Sequence, residues 1–492
     1  MSWGLIAILV VPVAAAAACP FVDWRTARAV TAASGVISLA LALGLAGSVE
    51  HGATLHAAAG WLRLDSLGAV FLIATGLLYA VGGVFSIGYL RPDRRDPDFP
   101  RFARRYDTLL NLFGWTMLLV PLASDFGILW VGVELTTIVS ALLVAIDRTD
   151  AALEASWKYV LIASCGLGIA LLSVIVLYAA GTAPLGVSYV PRFTRLLAHG
   201  SALSPDAVRL SFVLAVVGFG TKVGFVPTHT WLPDAHSEAP APVSALLSGA
   251  LLSSALYAIL RFEQVAVVAG QRSFAEHVLI VFGAISLIAA SLFVLRQRNF
   301  KRLLAYSSIE HMGVIALGIG FGAPLAVAGA LLHVITHASA KGLAFFSSGS
   351  LVRGYDTKEV DDVVDAGRTM PWTGPMFLAA ALALCGLPLS GVFRSEFQIV
   401  AGGFAEPQYI AASLLIVFVN VAFFGVTWHA GRMVLSPPNA SSRDPRPHEQ
   451  SAWMIAAMLA CLLVVVALGI HLPSALSTLL SHARHLLLSP QS

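Results

Sequence analysis

Fourteen stretches of about 20 residues with few charges follow one another along the chain, centred near residues 11, 38, 78, 115, 136, 169, 217, 250, 285, 312, 338, 388, 421 and 462. About 20 apolar residues in a helix are what a bilayer core requires. Apolar residues make up 58% of the 492 and charged residues only 12%, about half the share of a soluble domain. The bilayer must therefore solvate most of this surface, and the expected fold is an all-α polytopic membrane protein. The N-terminal run MSWGLIAILVVPVAAAAAC lacks a basic leading segment, so it reads as the first span rather than a cleaved signal. The windows near 217 and 388 are the least regular, each being interrupted by glycine and proline.

The basic residues set an orientation. With an outside N-terminus, the odd-numbered loops hold nineteen of the thirty Lys and Arg, including Arg91, Arg94, Arg95, Arg443 and Arg446. The even-numbered loops and the C-terminal tail hold seven, and Lys158, Lys222, Lys341 and Arg394 lie in or at the edge of spans. Cytoplasmic loops carry the excess of basic residues, so both termini are expected outside the cytoplasm of a prokaryotic inner membrane. A net charge of +3, spread over loops, gives no case for nucleic acid. The four cysteines, Cys19, Cys165, Cys385 and Cys461, form no CxxC pair, which argues against a disulfide framework, an iron–sulfur centre or a zinc site. No cofactor, metal or redox centre of its own is expected.

Charges inside spans are the informative residues. Each costs about 2.5–3.5 kcal/mol to insert at a helix centre, so such groups face the interior, find partners and mark ion pathways. Glu134 sits mid-span in FGILWVGVELTTIVSALLVAI; a protonated packing carboxyl is the alternative. Lys222 stands before Gly224, Pro227 and the polar run THTWLPDAHSEAPAP. Burial and a nearby carboxylate act oppositely on a lysine, so one poised between them can load and release a proton. The alternative is a lysine snorkelling to the interface. His333, His337 and Lys341 follow at intervals of four, drift by only about 80°, and share one helix face as a ladder suited to proton hopping. Two histidines could also ligate a metal, but no carboxylate or thiol accompanies them in the sequence. Glu396 lies beyond the interruption at Gly386, Pro388 and Gly391, with Arg394 two residues away and pointing elsewhere. Gly/Pro-broken helices in two halves of a membrane protein point to an ion site, because freed backbone groups are tolerated only beside a cavity. Lys158, Glu310, His311 and the loop residues His229, Asp234, His236 and Glu238 are secondary candidates, for which interfacial anchoring or helix capping is the ordinary reading.

These motifs carry a resemblance. The run KVGFVPTHTWLPDAHSEAPAPVSALLSGALLSSALYAILR (222–261) resembles a signature of the antiporter-like subunits of respiratory complex I and Mrp-type antiporters. NFKRLLAYSSIEHMG (299–313) and HVITHASAKGLAFFSSGSLV (333–352) resemble later signatures of the same family. EASWKYVLIASCGLGIALL and GVFRSEFQIV are most similar to the F component of hydrogenase-4 and related group 4 membrane-bound hydrogenases. The resemblance implies about fourteen transmembrane helices with two inverted five-helix repeats, each with a broken helix. It divides the chain into an N-terminal three-helix segment (1–105), a first repeat (106–262), a second repeat (263–436) and a C-terminal span (437–492). It also implies that Glu134 and Lys222 form a glutamate–lysine pair, that His333, His337 and Lys341 relay, that Glu396 is the acid of the second broken helix, and that Lys158 is a common lysine of the sixth span. One departure is plain: the eighth span offers only Ser248, Ser253, Ser254 and Tyr257 before Arg261, where many members carry a lysine or histidine.

The expected function is a proton-translocating subunit of a complex I-like membrane-bound hydrogenase or NADH dehydrogenase-type oxidoreductase. Its partners would be other membrane subunits, a soluble hydrogenase or dehydrogenase module, and lipid. The alternatives are a Na⁺/H⁺ antiporter subunit, an ion-driven membrane subunit for inorganic-carbon uptake, and a passive anchor for a soluble enzyme.

Overall fold

In the computed structural model, which describes residues 2–90, 97–437, 448–449 and 451–490, the chain is a helical bundle. Arg91, Arg94, Arg95, Arg443 and Arg446 lie outside the described residues. The helices are α1 (Ser2–Ala18), α2 (Trp24–Val49), α3 (Ser66–Tyr89), α4 (Phe99–Leu119), α5 (Phe126–Val144), α6 (Asp150–Leu185), α7 (Phe193–Ala198), α8 (Pro205–Val223), α9 (Trp231–Glu238) and α10 (Ala241–Leu246). They continue as α11 (Leu252–Val268), α12 (Arg272–Val294), α13 (Phe300–Gly320), α14 (Pro324–Tyr355), α15 (Ala366–Thr369), α16 (Thr373–Leu384), α17 (Gly391–Ala405), α18 (Tyr409–Leu435), α19 (Ala452–Ile470) and α20 (Ser474–Leu488).

Among the described residues, eleven spans are long and apolar enough to cross a membrane. Helix α4, helix α14 and the pair α16–α17 fall outside that set for chemical reasons. The first carries Arg101, Arg104, Arg105 and Asp107, the second carries His333, His337, Lys341 and Arg353, and the third is interrupted. With them the crossings number fourteen, as the sequence windows predict. Contacts between loops agree with strict alternation. At one end Leu62 pairs with Ala123, Asp125 pairs with Arg192, and Gln264 Nε2 donates to Leu486 O at 2.8 Å. At the other, Asn299 pairs with Glu359 and Lys358 Nζ meets Glu238 Oε2 at 2.9 Å.

Three elements go beyond the sequence reading. A short hairpin, β1 (Leu55–Ala57) with β2 (Leu62–Leu64), pairs antiparallel with Leu55 opposite Leu64. The apparent loop before α8 holds α7, and the C-terminal tail forms α20, which lies against α3, α11 and α14. Four cations counted as loop residues are in fact buried: Arg28, Arg63, Arg261 and Lys301. Arg261 Nη2 reaches Asp65 Oδ1 at 2.7 Å and Arg63 Nη1 reaches Asp65 Oδ2 at 2.9 Å, while Lys301 Nζ donates to the carbonyls of Ser237 and Ala239. A long side chain beginning near an interface can turn inward when a carboxylate or freed carbonyls await it, so sequence position alone misplaces it.

Small residues let the central helices approach closely, as membrane packing favours. At the crossing of α12 and α13, a Cβ on Gly283 would stand 2.9 Å from Gly313 O, and one on Gly313 would stand 2.8 Å from Gly283 O. Gly283→Leu should therefore force the pair apart and lower stability by about 1–3 kcal/mol. Gly44→Leu, where an added Cβ meets nothing within 4 Å, should leave thermal unfolding in detergent unchanged. Equal melting shifts for the two variants would contradict this packing.

Candidate functional site: two buried titratable clusters beside broken helices

Each half of the bundle contains one interrupted helix, and a titratable cluster lies beside each interruption. In the first half, α8 ends where Gly224 adopts a left-handed φ of +89°. The chain then turns into α9, and Trp231 Nε1 ties the two pieces by donating to Thr221 O at 2.8 Å. Lys222, in the last turn of α8, has no exposed surface, so it does not snorkel. Its Nζ donates to Thr137 Oγ1 of α5 and stands 5.3 Å from the centre of the Tyr159 ring. The Tyr159 hydroxyl is 2.8 Å from Ser140 Oγ. Glu134 lies one turn before Thr137 on α5, and its charge is within reach of Lys222. The Glu134 Oε2 atom is buried and has no hydrogen-bond partner.

The second half is more elaborate. Helix α14 presents His333, His337 and Lys341 on one face, all without exposed surface. Lys341 Nζ donates to Ser307 Oγ at 2.9 Å and to Leu304 O at 3.0 Å, both on α13. Glu310, also on α13 and buried, is within electrostatic reach of Lys341. His311 Nδ1 is 3.0 Å from His333 Nε2 and 3.7 Å from Glu396 Oε1. His333 Nδ1 in turn is 2.8 Å from Ser395 Oγ on α17. The His337 ring lies 4.9 Å from that of His311 and 6.0 Å from that of His333, and neither of its nitrogens has a partner. Ring nitrogens of the three histidines fall within 4.8 Å of one another, close enough to share one ion, and Glu396 approaches His311 at 3.7 Å. The sequence singles out Glu396 and His311 separately, but only the fold brings them beside His333 and His337.

Glu396 occupies the far end of this cluster. Gly386, with φ +67°, closes the break between α16 and α17, and the carboxylate sits against it. A cavity of about 540 Å³, lined by Gly386, Pro388, Phe393, Phe397 and Asn420 among others, reaches Glu396 from outside the bundle.

The structure thus brings together Lys222 with Glu134, and Lys341, His333, His337 and Glu396 with Glu310 and His311. Three secondary candidates stand apart. Lys158 is 38% exposed and pairs with Glu154 at 2.5 Å and Asp234 at 3.7 Å. His229 packs among Phe293 and Tyr306, with Nδ1 unpartnered. Arg394 makes no ion pair with Glu396 among the described residues. Between the halves lie two groups to which the sequence gives only an ordinary reading. Ser248, in a π-helical turn (Leu247–Leu251) that interrupts the eighth span, is 2.7 Å from Ser308 Oγ. His236 of α9 is wholly buried, stacks on Phe345 at 5.2 Å, and has both ring nitrogens unpartnered. Its place in an apparently polar loop suggests capping or anchoring rather than burial.

A family described as "NADH:quinone oxidoreductase/Mrp antiporter, TM" matches residues 123–423, more than half of the chain and both clusters. The chain belongs to this family. Among its relatives is a hydrogenase-4 component F homolog of Methylacidiphilum infernorum, 34% identical, with 83% of this chain and 85% of the relative covered. Another is the NADH-quinone oxidoreductase subunit N of Desulforudis audaxviator, 30% identical over 91% of this chain and 92% of the relative. The fold also matches a chain of the Mrp complex from Dietzia sp. DQ12-45-1b with a TM-score of 0.87 at 21% identity, over all of this chain and 98% of that one. This antiporter-family chain therefore has a fold of about fourteen helices, a multi-pass membrane character, and two broken helices in corresponding places.

The seat of Glu396 yields a direct test in this antiporter-family chain. A Cβ at Gly386 would stand 2.5 Å from Glu396 Oε2. Gly386→Ala should displace the carboxylate toward the cavity and cost about 1–2 kcal/mol through the left-handed backbone. A hydrophobic carbodiimide should then label Glu396 severalfold faster, read by peptide mass spectrometry; an unchanged rate would show that the glycine does not seat the acid.

Proposed function

We propose that the chain is the proton-translocating membrane subunit of a complex I-like membrane-bound hydrogenase or NADH dehydrogenase-type oxidoreductase. It would work with other membrane subunits and a soluble hydrogenase or dehydrogenase module. The observation that carries this reading is a pair of wholly buried lysines, Lys222 and Lys341, each within reach of a carboxylate and each bonded to a hydroxyl. Packing alone does not account for an ammonium in that position, because a leucine would fill the space without the desolvation penalty. The presence of His311, His333 and His337 beside Lys341 supplies neutral groups able to accept and pass a proton.

In this reading, residues 1–105 form an N-terminal three-helix segment, 106–262 the first repeat, 263–436 the second, and 437–492 the C-terminal span. Glu134 sets the charge felt by Lys222, and a partner's energy input acts by moving that carboxylate relative to the lysine. Two charges about 4 Å apart interact by about 4 kcal/mol at an effective dielectric near 20, so a small displacement changes proton loading. His236 and the Ser248–Ser308 hydroxyl pair stand in for the titratable residue missing from the eighth span. Lys341 exchanges with the histidine cluster, and Glu396 exchanges with the cavity at its side. Lys222→Ala and Lys341→Ala should abolish proton movement in proteoliposomes while the complex still assembles. His236→Ala should slow it about tenfold or more, within the usual range for a proton-transfer group. Normal pumping in both lysine variants would sink the scheme and favour a passive anchor. Sodium-coupled movement with no oxidoreductase subunit co-purifying would favour an antiporter.

The orientation proposed is with both termini outside the cytoplasm of a prokaryotic plasma membrane, on the nineteen-to-seven bias of basic residues. Ser481, exposed on α20, offers a probe. Ser481→Cys should react with a membrane-impermeant maleimide in spheroplasts with sealed membranes, and reaction only after lysis would reverse the assignment.

A further inference from the structure

At the start of α2, away from both titratable clusters, two arginines share one aromatic ring. The guanidinium of Arg25 lies 5.1 Å from the Trp24 ring centre and that of Arg28 lies 5.3 Å from it. Trp24 is itself held edge-on against Phe99 at 5.4 Å. Such stacking fixes the planar cation without neutralising it. Arg25 is exposed, whereas the Arg28 side chain is only 4% exposed. Arg28 Nη1 donates to Leu90 O at 2.6 Å, and its Nε lies 3.8 Å from Asp107 Oδ2. Nε and Nη2 have no hydrogen-bond partner among the described residues. A buried guanidinium with unused donors calls for an acceptor.

Arg25 and Arg28 both line a cavity of about 640 Å³ on the flank of the bundle. The rest of its wall is apolar: Ala29, Ala33 and Val36 of α2, Val84 and Ile87 of α3, and Trp453 of α19. Among the described residues, no acidic residue lines it. Cationic donors stand at one end and a groove of small side chains runs away from them along α2. Trp453, 55% exposed, stands beside the groove at a helix end, as tryptophans do at headgroup depth.

We infer that this groove binds one anionic glycerophospholipid, its phosphate held by Arg25 and Arg28 and an acyl chain laid along Ala29, Ala33 and Val36. Free phosphate would match the donors but leave the apolar groove unused. A zwitterionic headgroup would set a third cation beside the two arginines, where no carboxylate among the described residues lines the cavity to receive it. The lipid would link α2, α3 and α19, and would give the buried Arg28 an outer counter-charge beside the inner Asp107.

The test uses the complete complex purified from its native membrane. In native mass spectrometry with added phosphatidylglycerol or phosphatidylcholine, one phosphatidylglycerol should bind selectively, and inorganic phosphate should not displace it. Arg28 pairs with Asp107 and its replacement risks misfolding, so the variants are Arg25→Gln, which removes one cation, and Ala33→Trp, which fills the groove. The first should weaken binding about fivefold, the contribution expected for one arginine at a membrane surface. The second should abolish it. Equal binding of the two lipids, or undiminished phosphatidylglycerol binding in both variants, would overturn the inference. A photo-crosslinking amino acid at Val36 should capture phospholipid in native membranes; capture of a protein subunit instead would show that the groove is a subunit interface and likewise overturn it.

Discussion

The desolvation of charge governs this molecule. An ammonium or carboxylate moved from water into a medium of low dielectric loses several kcal/mol even after relaxation, and one hydrogen bond to a charged group returns about 1.5–3 kcal/mol. Lys222 and Lys341 therefore need neighbours, and the fold is arranged to provide them. Each is met by a hydroxyl, Thr137 or Ser307, and each has a carboxylate within electrostatic reach. Broken helices serve the same end. Interrupting α8–α9 and α16–α17 exposes peptide groups that a continuous helix would bind internally, and those groups are placed where titratable side chains are. The carbonyls of Ser237 and Ala239 at the end of α9 hold Lys301 in this way.

The same requirement explains two polar systems away from the main axis. Asp65 receives Arg63 and Arg261 together, and Gln264, one turn beyond Arg261, fastens the C-terminal helix by its bond to Leu486. Near the opposite end, Arg28 and Asp107 continue through Asn111, which donates to Thr31 at 2.7 Å and accepts from Tyr79. Such a network joins α2, α3 and α4 by polar contacts, which hydrophobic association cannot supply between helices in lipid.

Much of this was legible in the sequence because the bilayer imposes so strict a rule. The fourteen apolar windows are the fourteen crossings, and Glu134, Lys222, His333, His337, Lys341 and Glu396 stood out because charge or imidazole in an apolar window is conspicuous. Residues whose setting was misjudged or missed had no such contrast. His236 sits among polar neighbours in sequence, and only the return of α9 into the bundle buries it. Ser248 resembles any helix serine until the π-helical turn brings it to Ser308. Glu310 and His311 seemed interfacial, since the sequence cannot show that α13 faces α14 and α17. Asp107 and Asn111 could have been found, being polar residues within an apolar helix, but the arginines preceding them made the segment look like a loop edge. The eighth span shows the limit of side-chain inventory, for it carries no acid, lysine or histidine before Arg261 and borrows its surroundings from adjacent helices.

The position of His311 has a consequence of its own. A neutral imidazole carries one N–H, and Nδ1 faces two neighbours, His333 at 3.0 Å and Glu396 at 3.7 Å. It cannot satisfy both in the same way at once: a hydrogen on Nδ1 must choose its acceptor, and a bare Nδ1 must choose its donor. In the proposed proton path the ring would stand where a route along α14 meets one toward α17. The three residues belong to three different helices, so the spacing of α13, α14 and α17 decides which neighbour is bonded: His333 lies within hydrogen-bond range and Glu396 outside it.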